Sequence, residues 1–172
     1  MATIALEQCK FAYNEAGMAP EYMDVTLSSG YAGVAGDLCI RTNNALAVVG
    51  ADPTWVSFLA TGAAAAVIPG LVDITQSSRG IMQVMKIRAT DVFQMNLYHS
   101  TAASAVLSDA DIDDALRYGV INATVSSVTA WLIDKEETSS TRVTIVKRLD
   151  AAADLYPRCH VKFLDATATF GV

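Results

Sequence analysis

Charged side chains are scarce in this sequence, and basic ones are the scarcer kind. They make up 17% of the 172 residues, with 12 Lys and Arg against 18 Asp and Glu, so the formal net charge is −6. The two short basic clusters, Lys86/Arg88 and Lys147/Arg148, do not form the stripe that neutralises nucleic-acid phosphates. We therefore expect no nucleic-acid partner.

Cysteine is also rare. Cys9, Cys39 and Cys159 are odd in number and have unrelated spacings, which argues against a disulfide framework and favours synthesis in a reducing cytoplasm. The first residues lack the basic region and apolar run of a signal peptide. The longest weakly polar stretch, residues 55–71, is interrupted by Pro69 and falls short of the ~20 apolar residues of a membrane span. We expect no membrane partner.

Reactive side chains do not converge in the sequence. Cys159 and His160 are adjacent, so on a strand they point to opposite faces and are poorly placed to share a zinc ion. Four acidic residues resemble the oxygens of a calcium loop but lack its central Gly and closing Glu; they are Asp109, Asp111, Asp113 and Asp114. Gly33 and Gly36 lack the third Gly and the strand–loop–helix order of a dinucleotide-binding loop.

Catalytic arrangements are equally unsupported. With only His99 and His160, and no Gly-x-Ser-x-Gly elbow, any Ser-His-Asp set is arbitrary. Trp55 and Trp131 are better explained as core or interface anchors than as a base-stacking platform in an acidic chain. We predict no catalytic residue, no metal ligand, no cofactor and no enzymatic activity.

Apolar and small residues are abundant instead. Hydrophobic residues make up 52% of the chain and the mean hydropathy is +0.33, which is apolar for a soluble domain. This composition indicates either a large core or apolar surface that other chains cover. The length is that of one domain with an added arm.

Short runs rich in β-branched and aromatic residues fill the last third of the chain. They are separated by polar connectors, as successive antiparallel strands are. The runs are residues 118–125, 128–134, 142–149 and 159–164. Residues 92–98 alternate with period two, since Phe93, Met95 and Leu97 oppose polar neighbours, and this predicts a half-buried strand. The second half of residues 81–88 alternates in the same way, with Gln83, Met85 and Ile87 on one face.

Other segments are assigned from turn and capping signals. Two apolar runs around Asn43-Asn44 predict a hairpin. Residues 55–60 are consistent with a strand, and residues 63–68 with a strand or an extended segment. Ser108 as a cap, acidic residues in the first turn and Gly119 after the last predict one short helix over residues 108–118. The charged loop of residues 135–140 is a candidate contact surface.

Residues 1–30 show no sustained period. Residues 3–13 are compatible with a short helix, but Gly17, Pro20 and Gly30 interrupt the pattern. We interpret residues 1–30 as an N-terminal arm or extended segment that gains its order from a neighbouring surface, followed by a single β-rich domain over residues 31–172. The alternative is a first helix and a loop packed on the chain's own domain.

The C-terminal half resembles the small proteins that decorate, or cement, the heads of tailed bacteriophages. The resemblance lies in the order and texture of these segments: Gly36-Asp-Leu, Asp91-Val-Phe-Gln, Tyr118-Gly-Val, Trp131-Leu-Ile-Asp, Thr141-Arg-Val-Thr-Ile-Val and Val161-Lys-Phe-Leu. It implies a compact antiparallel β-barrel or β-tulip, a homotrimer, an N-terminal arm over the capsid and the major capsid protein as partner. It transfers no functional residue.

The expected function is therefore that of a structural virion protein. It would be made in the bacterial cytoplasm, bind the outside of a phage capsid and stabilise contacts between major capsid subunits by avidity. One alternative is another phage structural subunit, of a tail or an adaptor. The other is a β-sandwich that binds a small ligand or carbohydrate at an aromatic-lined site near Trp55 or Trp131.

Overall fold

The computed structural model describes residues 1–26, 35–42, 45–48, 58–60, 81–113, 115–137 and 139–164. Within these ranges the protein is mainly β, with two single-turn 3-10 helices, Ala102–Ser104 and Asp109–Asp111. The strands are β1 (Lys10–Asn14), β2 (Tyr22–Thr26), β3 (Leu38–Thr42), β4 (Ala45–Val48), β5 (Phe58–Ala60), β6 (Ile81–Lys86), β7 (Asp91–Tyr98), β8 (Gly119–Val125), β9 (Val128–Asp134), β10 (Val143–Arg148) and β11 (Arg158–Phe163).

The first sheet has the order β10-β11-β7-β9-β8, with β1 also paired to β7. Strand β11 runs antiparallel along β7 on one side. On the other side β1 pairs with the first half of β7 and β9 runs parallel to its last two residues, Leu97 and Tyr98. β7 is thus the centre of the sheet, and the strands predicted in the last third of the chain are confirmed.

Alternation along β7 places its apolar side chains on one face as predicted, but the strand is not half-buried, because Val92 and Asn96 on the other face are also 0% exposed. Phe93, Met95 and Leu97 are buried on one face, and the cross-strand partners Val161 and Cys159 extend the same face. The buried cluster comprises Cys9, Leu38, Met85, Ile87, Phe93, Met95, Leu97, Leu107, Tyr118, Val120, Trp131, Ile133, Val143, Ile145, Cys159, Val161 and Phe163. Packing of these side chains supplies the main hydrophobic stabilisation of the fold.

One antiparallel bridge joins the two outer strands of this sheet. Tyr118, next to β8, donates its N–H to the carbonyl of Val143 at 2.9 Å, and Val143 donates to Tyr118 at 3.0 Å. The sheet therefore curls until its two edges touch at one point. No closed barrel is detected among the described residues, so the coarse prediction of a mainly β fold is what the structure confirms.

The second sheet has the order β2-β6-β5-β3-β4. It includes the hairpin predicted around residues 43–44, because Thr42 of β3 pairs with Ala45 of β4. Leu38, Met85 and Ile87 from this sheet and its margin lie in the buried cluster, so the two sheets share one core. Trp55 and residues 63–68 lie outside the described residues. No helix in the described ranges is long and apolar enough to cross a membrane.

The helix predicted over residues 108–118 is wrong. One 3-10 turn, Asp109–Asp111, is present, with Ser108 and Asp111 forming a capping box. The acidic side chains bind nearby groups instead of supporting a longer helix: Asp113 Oδ1 accepts the N–H of Ala115 at 2.7 Å. Such local hydrogen bonds compete with helical ones, and the favourable capping signal therefore starts a turn that does not continue.

The N-terminal residues lie on the chain's own sheets. The helix considered for residues 3–13 is absent: Thr3 forms a parallel bridge with Leu155, and β1 and β2 pair with β7 and β6. For residues 1–26 the structure favours the alternative in which the segment packs on its own domain, though in strands. Deletion of residues 1–30 would remove two strands and Cys9 from the core, so such a deletion tests folding before it tests binding.

The Asp91 carboxylate links the N-terminal segment to both sheets. Asp91 is the first residue of β7, its side chain is 0% exposed, and it pairs with Arg88 at 3.0 Å. Its oxygens also accept the backbone N–H of Arg88 at 3.0 Å and the amide of Asn14, at the end of β1, at 2.6 Å. Arg88 in turn donates to the carbonyl of Ala19 at 2.9 Å.

We expect Asp91→Asn to lower the free energy of unfolding by about 3–5 kcal/mol, because it leaves the Arg88 guanidinium, 13% exposed, without its counter-charge. Asp109→Asn is the matched control, since that carboxylate pairs with Arg148 but is 90% exposed and is worth less than about 1 kcal/mol. Urea unfolding followed by circular dichroism measures both. Equal losses in the two variants would contradict the role assigned to Asp91.

Candidate interaction surface

The residues singled out for metal chemistry do not converge. Cys159 is buried in the core, whereas His160 lies half-buried on the opposite face, where its ring contacts that of Tyr13 with centroids 5.4 Å apart. The predicted opposite orientation of this pair is confirmed. His99 accepts the N–H of Thr101 at its Nδ1. In the described part of the chain, no three His, Cys, Asp or Glu side chains are grouped to hold a metal ion.

The acidic group near residue 110 is dispersed among separate partners. Asp109 pairs with Arg148 at 2.9 Å, and Asp111 accepts hydrogen bonds from Ser108 and Lys135 at 2.7 and 3.1 Å. Burial opposes the charged form of Asp111, but these hydrogen bonds outweigh it and lower its pKa. Asp114 lies outside the described residues. These carboxylates therefore stabilise the local structure and do not line a common site.

The loop of residues 135–140 was predicted as a contact surface. Its charged side chains form hydrogen bonds within the same chain. Lys135 donates to the carbonyl of Val106 at 2.8 Å and Glu136 accepts two hydrogen bonds from Ser100. Glu137 accepts hydrogen bonds from Ser139 and Ser140, which lower its pKa to about 2. These pairings leave the loop less available to a partner than its composition suggests.

Gly36 has a structural role instead of a cofactor role. Its φ is +93° and an added Cβ would lie 2.6 Å from Cβ of Gln8. Only Gly combines this backbone conformation with so close an approach. Gly33 lies outside the described residues. The glycine therefore lets residues 35–37 pack against the N-terminal segment.

Residues 1–9, here called the N-terminal strap, contact β7 of the first sheet through Glu7, which bonds to Gln94 and Asn96, and the segment ends at Cys9 in the core. Glu7 pairs with Lys10 at 2.5 Å and with Arg158 of β11 at 3.1 Å. Arg158 also binds Asp150 through both carboxylate oxygens, at 3.0 and 2.7 Å. Hydrogen bonds from Lys10 and Arg158 lower the pKa of Glu7, and those from Arg158 lower the pKa of Asp150.

The side chain of Asn96 in β7 holds the N-terminal strap by hydrogen bonds. This residue was predicted on the polar face of β7, yet it is 0% exposed. Its side chain accepts the N–H of Glu7 at 3.0 Å and donates to the carbonyls of Tyr156 and Ala5 at 2.8 and 3.3 Å. A buried amide of this kind needs all its partners, and here they come from distant parts of the chain.

Three large exposed side chains lie on the β1–β2 connection and its flanking strands. Tyr13, Met18 and Tyr22 lie close together along the chain, are here called the β1–β2 patch, and are 41%, 46% and 50% exposed. Ion pairs adjoin the patch in sequence, between Glu15 and Lys162 at 3.0 Å and between Glu21 and Lys86. Tyr and Met within a polar rim are typical of a protein–protein interface.

Sequence reasoning did not single out this patch. Its residues are scattered singly among polar and small ones, so no periodic pattern marks them. The sequence marks these residues only by their neighbours, because Tyr13, Met18 and Tyr22 flank Gly17 and Pro20. Turn residues such as Gly and Pro lie in surface loops, and side chains next to them tend to be exposed.

No protein-family model, no curated protein and no solved structure matches this chain. The kind of protein must therefore be inferred from the sequence and from the surfaces described above.

The strap should loosen in acid. Because the pKa values of Glu7 and Asp150 are lowered from 4.5 and 3.8, their pairing contributes its full stability above those values and loses it as pH falls through the lowered ones. We expect protection of the strap amides against hydrogen exchange, corrected for intrinsic rates, to fall below about pH 4. Arg158→Gln should lower protection already at pH 7 and reduce the pH dependence. A pH-independent protection in the wild type would contradict this origin.

Proposed function

We propose that this chain is a structural virion protein that binds the outside of a tailed-phage capsid and stabilises contacts between its major capsid subunits. The observation that carries the proposal is the β1–β2 patch, which offers aromatic and thioether side chains to another protein. The order of segments that resembles head decoration proteins supplies the class of partner.

The patch suits a rigid contact because its backbone is held from within. Asn14 Oδ1 accepts the N–H groups of Ala16 and Met18 at 2.8 and 3.1 Å, and Arg88 binds the carbonyl of Ala19. A surface ordered before binding loses little conformational entropy on association. A shell offers many copies of one partner, so modest individual contacts add up through avidity.

The finer architecture belongs to the same proposal. We infer a compact barrel or tulip, antiparallel except for the parallel β7–β9 pair, from the curl of the first sheet, in which the bridge between Tyr118 and Val143 brings β8 to β10. A closed or nearly closed sheet suits a shell protein because it limits free strand edges. In the proposed assembly three copies form a homotrimer on the capsid surface, without an enzymatic, nucleic-acid-binding or membrane role.

The alternatives differ in the surface that they require. A carbohydrate-binding sandwich needs an accessible aromatic ring, and Trp131 is only 1% exposed within the core, so it does not supply one. Trp55 lies outside the described residues. A tail or adaptor subunit would use the same patch, but in a ring or tube instead of a trimer, and solution mass separates these two.

Replacing the β1–β2 patch should weaken capsid binding without unfolding the protein. We expect the triple variant Tyr13→Ser, Met18→Ser, Tyr22→Ser to co-sediment with tailed-phage capsids that lack their decoration protein at least about tenfold more weakly, since loss of one central anchor alone costs on the order of 1–2 kcal/mol. Thermal unfolding of the variant should stay within a few degrees of the wild type.

Leu116→Ser is the matched control, because Leu116 is 40% exposed but lies outside the patch. It should bind like the wild type. Equal binding by the triple variant would show that the patch is not the contact. No binding of the wild type to any such capsid would contradict the decoration function itself.

The oligomeric state gives an independent check. Sedimentation equilibrium of the purified wild type should report three times the chain mass of 18.2 kDa. A larger ring would favour the tail or adaptor alternative, and a monomer that binds an oligosaccharide array would favour the ligand-binding one.

A further inference from the structure

The β8–β9 hairpin extends beyond the bridge between Tyr118 and Val143. Its turn is formed by Ser126 and Ser127, whose φ angles of 51° and 70° are those of a two-residue type I′ turn. The register continues without a bulge to Val125 and Val128. Residues 122–129 are exposed or half-buried, whereas Val120, nearer the bridge, is in the core.

Within the described part of the chain, no strand pairs with the outer edge of β8 beyond the bridge. Tyr118 exchanges both backbone hydrogen bonds with Val143, so its N–H and C=O point away from β9. Successive residues of an antiparallel strand alternate in this direction. The backbone groups of Val120, Asn122 and Thr124 therefore point to the same open side, and no hydrogen bond to them from a described residue is present there.

This edge lacks the features by which other edge strands in the described ranges discourage pairing. Strand β10 carries Lys147 and Arg148 and has a register shift after Ile145, β2 carries Asp24, and β4 has four residues. Charges, bulges and short length are the usual protections of an edge. From Gly119 to Ile133, by contrast, no residue is charged.

We propose that a second copy of this chain adds its own β8 to this edge, antiparallel and related by a two-fold axis at Asn122. In that register Asn122 faces Asn122, and Val120 faces Thr124. These are the residues whose backbone groups are free, so each copy completes the hydrogen bonds of the other. Self-complementarity of this kind is what a two-fold interface requires.

Charge favours a copy of the same chain as the occupant. Each copy carries a net charge of −6, and most surfaces would bring like charges together. The uncharged hairpin lets two acidic chains meet without such contacts. On its other face the pairing places Ile121 beside Ala123, both half-buried in the single chain, which adds apolar contact.

The contact goes beyond the capsid role and does not depend on it. A pairing of one strand edge buries little area and is weak in solution. Copies held near each other, for example in neighbouring trimers, gain from effective concentration. The β1–β2 patch lies on other strands, so capsid binding and strand pairing can be tested separately.

Cysteine cross-linking tests the register. In the proposed pair the Cα atoms of the two Asn122 residues are about 5.5 Å apart, within the range of a disulfide. The two Thr124 residues are offset by four positions, about 13 Å, although Thr124 is exposed on the same face as Asn122. The native cysteines Cys9, Cys39 and Cys159 are all buried, and the wild type gives the background.

We expect Asn122→Cys to form a disulfide-linked dimer under mild oxidation at least about tenfold faster than Thr124→Cys. Equal rates would overturn the register, and the absence of dimer in both would overturn the pairing. Neither result bears on capsid binding, which is measured by co-sedimentation.

A proline on the open side supplies a second measurement. Thr124→Pro removes an N–H that points away from β9, and proline is tolerated at such edge positions. Added to Asn122→Cys, it should abolish the rapid cross-link, whereas Thr124→Val should preserve it, although both lose the hydrogen bond to Thr129. Rapid cross-linking in the proline variant would show that the backbone edge is not the contact.

Discussion

The buried ion pair between Asp91 and Arg88 is the constraint on which the rest of the structure depends. It joins Arg88, in the connection after β6 of the second sheet, to Asp91, the first residue of β7 in the first sheet. A charge at 0% exposure is tolerated only when every oxygen has a partner. Here the partners include Asn14 at the end of β1, so the chain gains this stability only when the N-terminal segment is in place.

The same constraint positions the candidate interaction surface. Asn14 binds Asp91 on one side and the backbone of Ala16 and Met18 on the other, and Arg88 holds Ala19. The exposed side chains of the β1–β2 patch therefore belong to a backbone segment that is held in place by its hydrogen bonds to Asn14 and Arg88. This coupling means that a damaged core and a damaged interface produce the same loss of binding, and only a stability measurement distinguishes them.

The strands of the last third and β7 could be predicted because runs of β-branched and aromatic residues between polar connectors mark them, and period two records a buried face where it occurs, as along β11. Periodicity could not reveal what covers the other face. Asn96 looks like a solvent-facing residue, yet Ala5 and Glu7 bury it from about 90 positions away. The prediction of a helix near residue 110 was wrong for a different reason. The capping signal was correct, but hydrogen bonds from nearby backbone groups to the carboxylates ended the helix after one turn. The β1–β2 patch has no periodic signal at all.

The distribution of charge connects these observations. Few charged residues are present, and many of those described are committed to internal pairs such as Glu7 with Arg158 and Asp111 with Lys135. The chain therefore keeps its acidic balance for solubility while leaving two candidate surfaces, the β1–β2 patch flanked by ion pairs and the uncharged β8 edge. One offers side chains and suits a partner of different sequence, whereas the other offers backbone and suits a copy of itself. If both proposals hold, the two surfaces act independently, because they lie on different strands.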